Sequence, residues 1–95
     1  MTDYDSKIIR RKIRVSGSVQ GVGFRHRMEY ASSMVGTTGW VRNEPDGSVL
    51  LEIQGTEEQI DKVFIMVSQG TYVNIENMNV ETIPLLEDEY GFRIK

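Results

Sequence analysis

The stretch Ile8-Ile9-Arg10-Arg11-Lys12-Ile13-Arg14-Val15-Ser16, followed by Gly17-Ser18-Val19-Gln20-Gly21-Val22-Gly23 and then by Phe24 to Val35, decides the fold. In its first part Ile9, Ile13 and Val15 alternate with Arg10, Lys12 and Arg14. That is the period-two pattern of a half-buried strand, broken only at Arg11. In its last part Phe24, Met28, Ala31 and Val35 recur at the spacing of one helix face, and Gly36 supplies the stop. The glycine-punctuated segment between them connects a strand to a helix N-terminus.

Further along, Gly39 to Asn43 and Ser48 to Gln54 read as two strands, the second with Val49, Leu51 and Ile53 inward. Glu44-Pro45-Asp46-Gly47 joins them as a hairpin turn. Thr56 and Gln59 form a capping box ahead of a second helix whose apolar face is Ile60, Val63, Phe64 and Val67, with Gly70 as its close. Met78, Val80 and Thr82 alternate with Asn77, Asn79 and Glu81, Pro84 ends that run, and Gly91 to Lys95 reads as a short last strand. The order strand, helix, strand, strand, helix, strand is that of an α+β, ferredoxin-like βαββαβ sandwich, an antiparallel sheet with two helices on one face. The other face is expected to be wet.

Composition narrows the chemistry. Ninety-five residues, 39% hydrophobic and 26% charged, fit one globular domain over 1–95, with 1–7 expected to be a flexible N-terminal segment. The chain holds no cysteine and one histidine, which excludes disulfides, zinc–thiolate sites, a cysteine nucleophile and multi-histidine metal sites. There is no apolar run of membrane-span or signal-peptide length, so cytoplasm is the expected location and no membrane partner is expected. Residues 1–43 carry eight Lys/Arg against three Asp/Glu, and residues 44–95 carry three against eleven. A basic first half suits an anionic ligand, whereas the acidic second half argues against a nucleic-acid coat. Ser48 to Gln54 also lacks the aromatic residues of an RNA-reading central strand, so no nucleic-acid partner is expected.

Between the first strand and the first helix, Ser18, Val19, Gln20, Gly21, Val22 and Gly23 can converge their backbone N–H groups beside a helix N-terminus, which is how proteins hold phosphate. Arg25, in the first helical turn, can add a fork of donors. The other reading is a connecting loop that uses glycine for geometry alone. The segment lacks the Walker lysine and the Gly-x-Gly-x-x-Gly spacing, so it is no nucleotide fingerprint. Asn43 has a carboxamide suited to orienting water, or is a plain turn residue before Glu44-Pro45. Trp40 reads as a packing residue, the other reading being an exposed edge that flanks a substrate, and Arg42 reads as facing solvent. His26 reads as a surface helical residue rather than a base, Glu87-Asp88-Glu89 as a solvated acidic run, and Met28, Met34, Met66 and Met78 as core filler.

Three segments, Val15-Ser16-Gly17-Ser18-Val19-Gln20-Gly21-Val22-Gly23-Phe24-Arg25, Gly39-Trp40-Val41-Arg42-Asn43 and Asp46-Gly47-Ser48-Val49, together resemble the acylphosphatase family, over about residues 8–95. The resemblance implies an enzyme that hydrolyses the carboxyl–phosphate bond of a small acyl phosphate to a carboxylate and inorganic phosphate, without metal or other cofactor. It implies Arg25 and Asn43 as the catalytic pair: Arg25 binds phosphate with the Gly17–Phe24 backbone, and Asn43 orients the attacking water. It resembles the free-standing enzyme more than the related domain of carbamoyl-transfer proteins in hydrogenase maturation, and a monomer is the expected state. The alternative is a non-catalytic phosphate- or metabolite-binding module on the same loop. Two departures from the family pattern stand out: Gly36-Thr37-Thr38-Gly39 where Gly-Leu-x-Gly is usual, and Gly70-Thr71-Tyr72 where Gly-Pro-Pro is usual.

Overall fold

The computed structural model describes residues 7–69 and 72–95. Residues 1–6 of the N-terminal segment, and Gly70 and Thr71 with the expected stop of the second helix, lie outside the described residues. The elements are β1 (Ile8–Ser18), α1 (Phe24–Val35), β2 (Thr38–Asn43), β3 (Val49–Thr56), α2 (Glu57–Ser68), β4 (Asn74–Ile83) and β5 (Phe92–Ile94). They form one five-stranded sheet in the order β4-β1-β3-β2-β5. The four strands of the βαββαβ body pair antiparallel, as the sequence pattern implies, while β5 joins the β2 edge in parallel and makes the sheet mixed. None of the described helices is long and apolar enough to cross a membrane.

Both helices cap as their sequences dictate. Gly36 takes a left-handed conformation with φ 102° and donates its N–H to the Ser32 carbonyl, ending α1. In α2 the Thr56 hydroxyl accepts from the Gln59 amide while the Gln59 side chain accepts from the Thr56 amide. The core is the helix-facing side of the sheet: Ile13 and Val15 of β1, Val41 of β2 and Val49, Leu51 and Ile53 of β3 pack against Phe24, Met28 and Ala31 of α1 and Ile60, Val63 and Val67 of α2. Arg11, the break in the β1 alternation, falls on this same face and meets Glu57 in the first turn of α2 at 3.4 Å.

The other face is wet as expected along Lys12, Asn79 and Glu81, and departs from expectation at one end. Residues 84–91 fold back across it, and Leu86 exchanges two hydrogen bonds with the Gln54 carboxamide, accepting at 3.0 Å and donating at 2.9 Å. Beneath this strap Arg10 is 1% exposed. Its guanidinium donates to both carboxylate oxygens of Glu89, at 2.7 and 3.1 Å, to Glu52 at 2.9 Å and to Gln54 at 3.1 Å. Glu89 is therefore no member of a solvated acidic run, since its side chain keeps only 6% of its exposure. Burial by itself would raise its pKa, but hydrogen bonds from Arg10 and Thr38, with the charges of Arg10 and Arg93, outweigh that and hold the carboxyl below its ordinary range.

One further expectation, of the four methionines as core filler, is corrected in part. Met34 and Met78 are 65% and 41% exposed, so only Met28 and in part Met66 fill the core. Met78 and Val80 do lie on the helix side, opposite Val15 and Ile13, but β4 is an edge strand and the helices do not extend over it. Trp40 sits on the strapped face, where the Arg42 guanidinium and the Lys95 ammonium lie 5.2 and 4.3 Å from its ring centre, so it packs under cations and not in the core. The Thr37 departure is a buried one, 2% exposed, and its hydroxyl has no hydrogen-bond partner among the described residues.

Candidate active site

The expected site residues gather at one end of the sheet. Asn43, Val49 and Val15 are consecutive partners across β2, β3 and β1, so they form one row with side chains on the helix side. The β1–α1 connection leaves the sheet three residues past Val15. It is shorter than the sequence suggests: Gly17 and Ser18 still belong to β1, paired with Ile75 and Asn74 across a bulge after Ser16. Gly17 has φ 124°, and a Cβ there would strike the Asn74 carbonyl, so this glycine serves strand packing. The free loop is Val19 to Gly23.

That loop is pinned from inside and bare outside. Val19 is buried in the core, and Val22 packs partly against it. Between and after them Gly21 and Gly23 take φ 73° and 83°, values that cost other residues dearly. Alternation of right- and left-handed backbone turns successive N–H groups to one side, the geometry of an anion nest. Gly23 is also the N-cap of α1; it offers no side-chain cap, and no acidic residue stands in the first turn. The first helical N–H groups consequently have no side-chain acceptor. Arg25 lies in that same turn, half-buried, and forms no salt bridge with any other described residue. Most cations of β1 are neutralised, with Arg10, Arg11 and Arg14 each facing a carboxylate, whereas Arg25 has no such pair among the described residues.

Asn43 ends β2, and its Oδ1 is buried without a hydrogen-bond partner among the described residues. A carboxamide oxygen left free by the protein can accept from a water or a ligand. The turn after Asn43 is rigid. Asp46 accepts from the amide and the hydroxyl of Ser48, at 2.9 and 2.6 Å, and these bonds hold its carboxyl below its ordinary range. Arg14 donates to the Ser48 hydroxyl at 2.9 Å, and Arg42 to Glu44 at 2.8 Å. Arg42 is thus ion-paired as well as partly solvent-facing.

His26 stands apart from this arrangement. It is one residue, or about 100°, around α1 from Arg25. It lines a groove of about 550 Å³ between α1 and α2, together with Val22, Gly23, Arg27, Tyr30 and Met66. It is exposed, and no described carboxylate is within salt-bridge reach of it. His26→Ala is expected to leave kcat and its pH profile unchanged in an acyl phosphate assay; a loss of about a hundredfold or more, the low end for removing a general base, would give the imidazole a catalytic role.

Sequence reasoning did not assign the Gln20 side chain, which reaches from the loop to the Glu44 and Ser48 carbonyls. Nor did it find the Arg14–Ser48–Asp46 chain. The acceptors of Gln20 and Arg14 lie 24 to 34 residues away in sequence, where no local motif reaches.

The family model described as Acylphosphatase matches residues 11–94. A protein named acylphosphatase from Oceanobacillus iheyensis is 40% identical over 86 residues, covering 88% of this chain and 94% of that protein. Among solved structures, the acylphosphatase from Bacillus subtilis superposes with a TM-score of 0.82 at 30% identity, covering 92% of this chain and 98% of the other. The acylphosphatase from Coxiella burnetii does so with a TM-score of 0.81 at 31% identity over the whole of both chains.

Proposed function

The chain belongs to the acylphosphatase family, whose reaction is acyl phosphate hydrolysis, and from that premise we propose that Arg25 and the backbone of the Gly17–Phe24 loop, chiefly beyond Ser18, hold the phosphate while Asn43 orients the attacking water. The observation that carries this reading is the uncapped N-terminus of α1, where left-handed Gly21 and Gly23, free first-turn amides and an unneutralised Arg25 stand together.

The chemistry asks for little more. Water attacks phosphorus, the bond from phosphorus to the acyl oxygen breaks, and the carboxylate departs with the electron pair. Its conjugate acid has a pKa near 4, by analogy with side-chain carboxyls, so no general acid is needed to expel it. A non-bridging phosphate oxygen of the substrate takes the water's proton. What remains for the protein is positioning and charge, the larger part of catalysis in phosphoryl transfer. Arg25 and the loop amides stabilise the equatorial oxygens, and the Asn43 carboxamide holds water in line. By this account the reaction proceeds without metal, because the leaving group needs no acid and the substrate's own phosphate oxygen takes the proton of the water.

Asn43→Ala tests the division of labour. Its kcat for benzoyl phosphate is expected to fall by about a hundredfold, the cost of losing the aligned nucleophile, with the inhibition constant of inorganic phosphate within about twofold of the parent. Parental turnover in the folded variant would remove Asn43 from the mechanism.

A further inference from the structure

We propose that Gln20 is a positioning residue that fixes the phosphate-holding loop against the Asn43 hairpin and so sets where the attacking water stands; this rests on the roles given above to Arg25 and Asn43. Its Nε2 donates to the Glu44 carbonyl at 2.7 Å and to the Ser48 carbonyl at 2.8 Å. A primary carboxamide has two N–H donors, and both are spent here on main-chain acceptors from the two sides of one turn. Glu44 directly follows Asn43 in the chain, and Ser48 directly precedes Val49, the cross-strand partner of Asn43. The clamp therefore closes on the residues that fix the backbone of Asn43.

These are the only hydrogen bonds between the Val19–Gly23 loop and the Asn43–Ser48 hairpin among the described residues. Every other tie of the hairpin goes elsewhere. Arg14 and Arg42 hold Glu44 and Ser48 to the strapped side of the sheet, and Asp46 closes the turn on itself. The loop in turn is anchored to the core by Val19 and Val22. Two firmly built parts thus meet through one side chain. The structure also separates this role from folding: the Glu44 carbonyl still accepts from Gly47, and the Ser48 carbonyl from Glu44, when Gln20 is gone. Neither acceptor is orphaned by its removal, so the usual penalty for a lost buried partner is small.

The test is a double-mutant cycle on benzoyl phosphate hydrolysis with Gln20→Leu, Asn43→Ala and the pair, each checked for folding by circular dichroism. Gln20→Leu keeps the bulk of the side chain and removes both donors. Displacing a reacting group by about 1 Å costs up to roughly a hundredfold, so Gln20→Leu is expected to lower kcat by about ten- to a hundredfold. The inhibition constant of inorganic phosphate, a property of the loop and Arg25, is expected to stay within about threefold. In the Asn43→Ala background the same change is expected to cost less than about twofold, because the group it positions is already missing. Gln20→Met serves as a second donor-free variant should leucine not fold. Parental kcat in a donor-free variant overturns the proposal, as does an equal loss in both backgrounds or a loss seen only in phosphate affinity. Failure of the underlying reading shows separately, in an Asn43→Ala single variant that keeps parental kcat, and overturns both.

Discussion

Arg25→Ala is expected to lower kcat/KM for benzoyl phosphate by about a hundred- to a thousandfold and to weaken inhibition by inorganic phosphate, the range seen when one preorganised donor to a transition-state oxyanion is removed. The size follows from its surroundings. Arg25 is half-buried, beside amides that no side chain caps, and it forms no salt bridge with the other described residues. Its charge is therefore not shared with a carboxylate among the described residues. Arg25→Lys keeps the charge but loses the planar fork, so it is expected to fall between alanine and the parent. The measurement is initial rates over a substrate series, with phosphate as competitor. Activity of the alanine variant within threefold of the parent would place the phosphate elsewhere.

The second large effect is on stability. Arg10→Ala is expected to destabilise the fold by about 3–5 kcal/mol in urea unfolding, because it leaves the Glu89 carboxylate buried with its principal counter-charge removed. Glu89→Gln is expected to cost less, since Arg10 keeps Glu52 at 2.9 Å and Gln54 at 3.1 Å. The pair also makes stability depend on pH. Glu89 has a folded pKa below its ordinary value of 4.5, so its contribution is complete above that value and is lost as the pH falls through the lowered one. Arg10 has its pKa raised, burial opposing and the Glu89 and Glu52 hydrogen bonds prevailing, so its contribution is lost only in strong alkali. Acid titration of unfolding free energy should accordingly be shallower in Glu89→Gln than in the parent. An Arg10→Ala loss under about 1 kcal/mol would mean that solvent reaches Glu89 freely, as at an exposed ion pair.

These two arginines mark how far the sequence could be read. The placement of Arg25 was legible because it is local: a strand, glycines at set spacing and a helix start put it beside uncapped amides. The βαββαβ order was legible for a similar reason, since period-two and helical spacings report which face of each element is buried. Arg10 was not legible. Its position in the β1 alternation assigns it correctly to the face away from the helices, but residues 84–91 cover that face at the Arg10 end, and its main partner lies 79 residues away. Glu89 was misread as solvated by the same omission. Trp40 does pack, but its cationic neighbours were hidden in the same way, since they include Lys95, brought alongside only when β5 pairs parallel to β2. Asn43 was half legible: its residue type was suggestive, but only the row Asn43–Val49–Val15 sets it beside the loop. The Gln20 clamp was hidden because backbone carbonyls, its acceptors, are the same in every residue.

The most direct test of the site follows the oxygen of the attacking water. Chelator-treated protein is given benzoyl phosphate in ¹⁸O-enriched water, and both products are analysed by mass spectrometry. Rapid chelator-insensitive turnover with the label in phosphate is expected if the loop and Arg25 hold the phosphoryl group for in-line attack beside Asn43. Label in benzoate would place the attack at the carbonyl carbon, and loss of turnover with chelator would require a metal; either contradicts the mechanism built on this site.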